Sequence, residues 1–237
     1  MTIGEEMNHR TRLHSYLNRS NESSSNVLIM TAVQAEKEAI LRGIQHDPKF
    51  EVQLTGVGPV AAATATAKAL SKKDYSLVIN AGIAGGFPGQ AQVESIVLAT
   101  EIVSGDLGAE TPTGFSSLDE LGFGTNKLQV DHELMIRISE VLQLAELPVH
   151  IGPIVTVSTV TGSAQATEEM ANRVPGVVAE GMEGYGVAYA AHENEVPVIE
   201  IRSISNLVGP RNRDAWRIKE ALGQLEQACS SLVGVLT

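Results

Sequence analysis

The stretch VVAEGMEGYGVAYAAHENEVPVIEIRSISN, residues 177–206, decides the fold. It opens on a short apolar run, Val177 to Ala179, that breaks at Gly181. Met182 and Glu183 follow, and the small residues from Gly184 to Ala191 read as a buried helix. A second run, Pro197 to Ile204, is apolar and β-branched and ends at Ser205 and Asn206. Strand, helix and strand at this spacing make the βαβ unit of a parallel sheet. Ligands bind such sheets at the carboxyl ends of the strands. Glu183 and Asn206 both fall at an end of that kind, so a carboxylate and an amide converge on one crevice. The spacing alone equally allows Glu183 to start a helix and Asn206 to close a strand.

The rest of the chain narrows the class. With 237 residues there is length for one α/β domain with a substantial core. Aromatic residues make up only 4% against 43% hydrophobic, so that core is built from Ala, Val, Ile and Leu. A net charge of −11 argues against a nucleic-acid partner, whose phosphates need a basic face. The lone Cys229 excludes an internal disulfide and a cysteine-based metal cluster, and the scattered histidines form no HxxxH pair. No apolar run approaches the roughly 20 residues needed to cross a bilayer, and the polar amino terminus has no signal-peptide core. A soluble, cytoplasmic protein without metal, nucleic-acid or membrane partner is expected. Residues 1–25, polar and ending in NESSS, read as a flexible extension outside the domain of residues 26–237.

Along the chain, 26–32 is a buried-strand signal and 34–43 a helix with Glu36 in its first turn. A carboxylate there favours the helix dipole, and it also stands at a strand-to-helix corner facing the crevice. A strand at 50–55 leads into GVGPVAAA, where Gly56, Gly58 and Ala61 match G-x-G-x-x-A. The acidic residue that would hold a ribose is missing after the next strand, 76–79, which tells against a nicotinamide cofactor. Those glycines are better read as a tight turn that lets backbone approach a ligand. NAGIAGG, residues 80–86, offers bare backbone against which a flat ring or sugar can lie. A long strand is expected over 92–103, then a glycine-rich loop over 104–126 long enough for a lid. Asp131 caps a helix to Leu144 and a strand runs over 149–157. Ser163 caps the next helix, and a last helix starts near Asp214.

Together the segments TAVQAEKEA, TGVGPVAAA, VINAGIAGG, TVSTVTGS, EGMEG and RSISN resemble the purine nucleoside phosphorylase and nucleosidase superfamily. The resemblance spans about Asn26 to Leu232. It implies a three-layer α/β/α fold with a central mixed sheet, a nucleoside substrate, no metal or organic cofactor, and a homo-oligomer. It also implies roles. Glu36 matches the carboxylate that positions and deprotonates the attacking water. Met182 packs on the sugar and Glu183 binds the ribose hydroxyls. The backbone of Ile83, Ala84 and Gly85 approaches ribose and base, and Val160 and Thr161 line the base pocket.

Ser205 and Asn206 match a Ser-Asp pair, and the Asn is a departure with a chemical consequence. Hypoxanthine presents N7 and O6, two acceptors side by side; an amide donates to them where an ionised carboxylate is repelled. Asn206 therefore favours a 6-oxopurine. GDLGAETPTGF and ISNLVGPRNRDAW look most like a branch whose substrate carries a carboxylated aromatic tail beyond the 5′ carbon. Arg211 and Arg213 can pair with that carboxylate, or can be a solvated helix-start cluster. The corner after the first strand carries no arginine, so Glu36 suits water rather than phosphate.

Overall fold

A computed structural model describes residues 26–112 and 114–236; the expected extension over residues 1–25 lies outside them. Ten strands and seven α-helices are described. They begin with β1 (Val27–Thr31), α1 (Gln34–Gly43), β2 (Phe50–Leu54), α2 (Pro59–Leu70), β3 (Leu77–Gly86) and β4 (Ile96–Ser104). There follow β5 (Gly108–Thr111), β6 (Gly114–Ser117), α3 (Leu118–Leu121), β7 (Lys127–Gln129), α4 (His132–Leu144) and β8 (Val149–Thr156). The last are α5 (Ala164–Arg173), β9 (Ala179–Gly181), α6 (Gly184–Glu193), β10 (Val198–Leu207) and α7 (Ile218–Leu236).

The sheet is mixed, as expected. β1 pairs in parallel with β2 and β3, β3 with β10, and β8 with β4 and β9, while β10–β4, β3–β9 and β4–β7 are antiparallel. Because β10 pairs with both β3 and β4, and β9 with both β3 and β8, five strands close on one another. Closure draws the carboxyl ends of β3, β8, β9 and β10 toward a common point, which is what the site needs. α1 and α4 pack with α7, and α2 packs with α6. At the latter contact Gly186 and Pro59 are so close that any side chain on the glycine would overlap the Pro59 carbonyl. The small-residue run of 184–191 is therefore a requirement of close helix packing. The core is aliphatic, with Leu28, Ile29, Ile79, Ile96, Leu98, Ile102 and Ile138 all fully buried.

The sequence-based boundaries need correction in four places. The strand expected over 76–79 runs on through NAGIAGG to Gly86, because β10 pairs with it as far as that residue. The strand expected over 92–103 starts only at Ile96. Glu94 has φ of 69°, a left-handed conformation incompatible with strand pairing, and Ser95 Oγ folds back onto the Gln92 carbonyl at 2.6 Å. The final helix begins at Ile218, because Arg217 N–H is tied to the Ser205 carbonyl at 2.8 Å and Arg213–Ala215 form a 3₁₀ turn. The glycine-rich segment 104–126 contains the β5–β6 hairpin and the one-turn α3. Arg173 fixes that hairpin, stacking 3.8 Å from the Phe115 ring centre and donating to the Gly105 carbonyl at 2.6 Å.

Candidate active site

β3 is the ruler along which the site is laid out. Its amide at Ile83 donates to Glu36 Oε1 at 2.8 Å. Glu36 Oε2 accepts three further bonds, from Thr31 Oγ1 (3.0 Å) and the N–H groups of Ala32 (3.0 Å) and Val33 (3.1 Å). The helix-start reading of this carboxylate thus holds, since Oε2 caps the start of α1, while Oε1 reaches across to β3. Three donors fill Oε2, whereas Oε1 has one donor and keeps a lone-pair direction free for another hydrogen. The Ile83 amide, expected to approach a ligand, is spent on Glu36 instead.

Behind Gly82 lies a group the sequence did not announce. Arg202, fully buried on β10, directs Nε at Glu200 Oε1 (2.8 Å) and Nη2 at Glu183 Oε2 (3.6 Å). Nη1 comes within 2.8 Å of the place a Gly82 Cβ would take, and Glu36 Oε1 within 2.6 Å of that place. Only a glycine leaves room there. Asn80 Nδ2 donates to Glu200 Oε1 at 3.1 Å, from the position paired with Glu200 in the sheet register. Burial alone would lower the guanidinium's affinity for its proton, but Glu200, Glu183 and Glu36 outweigh it and hold the Arg202 pKa above its usual value. Burial pushes the Glu200 carboxyl up, against the opposing pull of Arg202 and Asn80. At 3.6 Å the Nη2–Glu183 contact is an ion pair too long for a hydrogen bond, so Nη2 keeps an unmet donor facing Glu183.

Glu183 is 5% exposed and its Oε1 accepts the Gly58 N–H at 3.2 Å. Gly58, with φ of 97°, adopts a conformation open to glycine. Its amide serves a protein carboxylate, not a ligand as the glycine motif led one to expect. Met182 beside it is half-buried.

Asn206 reaches the site through an irregularity. The β10–β3 register shifts between Ile204 and Asn206, which sets Asn206 opposite Gly85. Ser205 Oγ lies 2.9 Å from Asn206 Oδ1 and 3.3 Å from the Ala84 carbonyl. With Oδ1 engaged by that hydroxyl, Nδ2 is the donor end; one hydrogen goes to the Leu207 carbonyl at 3.0 Å and the other is free. Gly85 and Ile83 stand two residues apart, about 7 Å along the strand. Val160, 39% exposed, and Thr161 lie in the segment after β8. Thr161 donates its N–H (2.9 Å) and hydroxyl (2.5 Å) to Glu180, a buried β9 carboxylate also missed in the sequence.

Arg211 and Arg213 stand farther out, with guanidinium carbons 5.6 and 5.8 Å from the centre of the Trp216 ring. Arg211 also passes over Gly162, beside Thr161. A shallow depression of about 520 Å³ is lined by Arg213, Trp216, Arg217 and Lys219, combining cations with an aromatic face.

The sequence profile of the Phosphorylase superfamily matches residues 31–237. The chain belongs to the phosphorylase superfamily. Within this superfamily it is 41% identical to a futalosine hydrolase of Streptomyces coelicolor, over 89% of this chain and 96% of that protein. It is 43% identical to a futalosine hydrolase of Acidothermus cellulolyticus, over 86% of this chain and 89% of that one. The solved futalosine hydrolase of Helicobacter pylori superposes with a TM-score of 0.79 at 17% identity, over 90% of this chain and 98% of that one, which shows the common fold.

The ion cluster has a measurable consequence. Arg202→Met leaves Glu200 and Glu183 buried without their counter-ion and should cost about 3–5 kcal/mol of unfolding free energy. Adding Glu200→Gln to that variant should restore part of the loss. Calorimetric melting of the parent, the single and the double variant checks this; a single variant as stable as the parent would remove the cluster's structural role.

Proposed function

We propose that the chain is a futalosine hydrolase: it cleaves the N-ribosyl bond of futalosine and releases hypoxanthine and dehypoxanthine futalosine, a step on a route to menaquinone. The observation that carries this reading is the fixed polarity of Asn206. Its oxygen is engaged by Ser205 and its NH₂ is turned outward, beside the backbone of Gly85. A departing 6-oxopurine gathers negative charge on N7 and O6, and a preplaced amide donor stabilises that charge as it forms. The kinship with named futalosine hydrolases at 41% and 43% identity supports the same substrate.

The remaining residues fit an in-place division of labour. Water donates one hydrogen to the open lone pair of Glu36 Oε1, which orients it toward the anomeric carbon and takes its proton as the C–N bond breaks; the purine anion, hydrogen-bonded by Asn206, takes its proton from solvent. Glu183 holds the ribose hydroxyls with its carboxylate, while Met182 covers the sugar. Positive charge spreads over the ribose ring in the transition state. With Glu200 spent on Arg202, Glu36 and Glu183 both remain as carboxylates toward the cleft, so it favours that charge. The same pair works against phosphate as nucleophile. Arg202 does bring to Glu36 an arginine that the neighbouring sequence lacked, but its guanidinium is already engaged by carboxylates. Hydrolysis is the reaction this charge arrangement suits.

Val160 and Thr161 then face the base, and the Arg211–Trp216–Arg213 corner takes the carboxylated aromatic tail, the ring on indole and the carboxylate on guanidinium. A homo-oligomer belongs to this reading, because Val57 and Val60 beside the Gly58 turn are 58% and 80% exposed. Light scattering should give a mass above one chain; a monomer at working concentration would discard that part.

Glu36→Gln should lower kcat for futalosine by about 10² to 10⁴, the usual worth of general-base help, with substrate affinity little changed. Turnover retained at the parent rate would take Glu36 out of the mechanism. Arg211→Ala and Arg213→Ala should each raise KM for futalosine and barely alter KM for inosine, which lacks the tail. Equal effects on both substrates would free the corner of its assigned role.

A further inference from the structure

Glu180 on β9 stands opposite Gly85 in the sheet register, and Asn206 on β10 stands opposite the same glycine from the other side. Residues paired in register share a face of the sheet, so Glu180 and Asn206 flank Gly85, over which Val208 also leans, at a separation of about two strand spacings, roughly 10 Å. Asn206 Nδ2 lies 3.4 Å from the point a Gly85 Cβ would occupy, so the amide does lean over the glycine. Glu180, only 6% exposed, is turned to the segment after β8 and binds Thr161 twice.

The direction of those bonds is decided by inventory. Thr161 owns two donors, its backbone N–H and its hydroxyl hydrogen, and both end on the Glu180 carboxylate. The N–H of Ser158, on the same segment, ends on Asp106 Oδ2 at 2.6 Å. Two carboxylates thus take both donors of Thr161 and the backbone donor of Ser158. What Thr161 still offers is the lone pairs of its hydroxyl oxygen.

Purines differ at the atom such a wall meets. A 6-oxopurine carries hydrogen on N1 and is a donor there, whereas a 6-aminopurine presents a bare N1 and is an acceptor. We propose that Glu180 is a specificity-determining residue: by consuming both donors of Thr161 it makes the cleft wall an acceptor toward N1, admitting 6-oxopurines and rejecting 6-aminopurines. The inference rests on the placement of the base between Asn206 and Thr161 argued under the proposed function. Asn206 then reads the N7–O6 edge and Thr161 reads N1, two complementary tests of the same oxidation pattern. A wrong base leaves buried acceptors facing each other, a mismatch that a closed site punishes heavily.

The test is kcat/KM for futalosine and for its 6-amino analogue, with calorimetric binding of free hypoxanthine and adenine, for the parent, Glu180→Gln, Thr161→Val and Thr161→Ser. The parent should favour the 6-oxo member of each pair. In Glu180→Gln the new amide NH₂ donates to Thr161 Oγ1 and frees the hydroxyl hydrogen, so the preference should narrow by about tenfold or more. Thr161→Val should narrow it through loss on the 6-oxo member alone, and Thr161→Ser should keep it. Preferences unchanged in both Glu180→Gln and Thr161→Val overturn the inference while leaving the hydrolase reading intact. A parent that binds hypoxanthine selectively yet releases no base overturns the hydrolase reading and not this one. Should Glu180→Gln fail to fold, the two Thr161 variants decide the matter.

Discussion

One buried guanidinium holds the site together. Arg202 is shielded from water and surrounded by Glu36, Glu183 and Glu200, and the three carboxylates together hold its proton in place against the cost of burial. Charges taken from water are costly unless paired and hydrogen-bonded. Here the pairing is divided unevenly, with Glu200 in direct hydrogen-bond contact, Glu183 in a longer ion pair and Glu36 on the other side of Gly82. Glu200 anchors Nε, which leaves Nη2 directed at Glu183. The arrangement holds the Glu36 and Glu183 side chains in place, each also tied to a backbone N–H, and groups fixed in advance need no reorganisation during a reaction.

The fold supplies the geometry for this through strand closure. β3 has neighbours on both sides near its carboxyl end, β10 along one edge and β9 along the other, and their side chains converge above glycines. Gly82 admits Glu36 and Arg202, and Gly181 lies 3.3 Å (by its missing Cβ) from the guanidinium. Gly184 leaves room for the Glu200 carboxylate under the start of α6. Those glycines are spaces kept for charged side chains; a methyl group at Gly82 or Gly184 would displace the cluster, and one at Gly181 would press on the guanidinium. The sequence NAGIAGG had been read as backbone open to a ligand; part of that openness is taken up by the protein's own carboxylates.

Much of this was legible beforehand, because helix and strand periods are local. The α1 limits, the Asp131 and Ser163 caps, and the strand–helix–strand order of 177–206 follow from short-range patterning, and the structure agrees with each. The parallel βαβ unit expected there is not formed: β9 runs antiparallel to β3 and β10 parallel to it, a relation set by long-range pairing. Glu36 was readable in two ways; the helix-start reading holds, since its Oε2 accepts the Val33 N–H, and the catalytic reading is part of the proposed function. Arg202 and Glu200 were passed over because 197–204 is mostly β-branched and reads as an apolar run. The available signal was their spacing: two opposite charges two residues apart in a strand share one face, which is rare in a buried sheet unless they pair. Glu180 was overlooked in the same way, one residue past an apolar run. The bulge at Ser205 and the strand closure depend on long-range register, and no local pattern encodes them.

The central claim is that an acid-rich cleft makes water the nucleophile. Turnover of futalosine in ¹⁸O-enriched water, run with and without phosphate and read by mass spectrometry of the sugar product, tests it most directly. The account predicts hypoxanthine release at the same rate in both, with one heavy oxygen entering at the anomeric carbon. Release that requires phosphate, and a sugar 1-phosphate without the label, would contradict it.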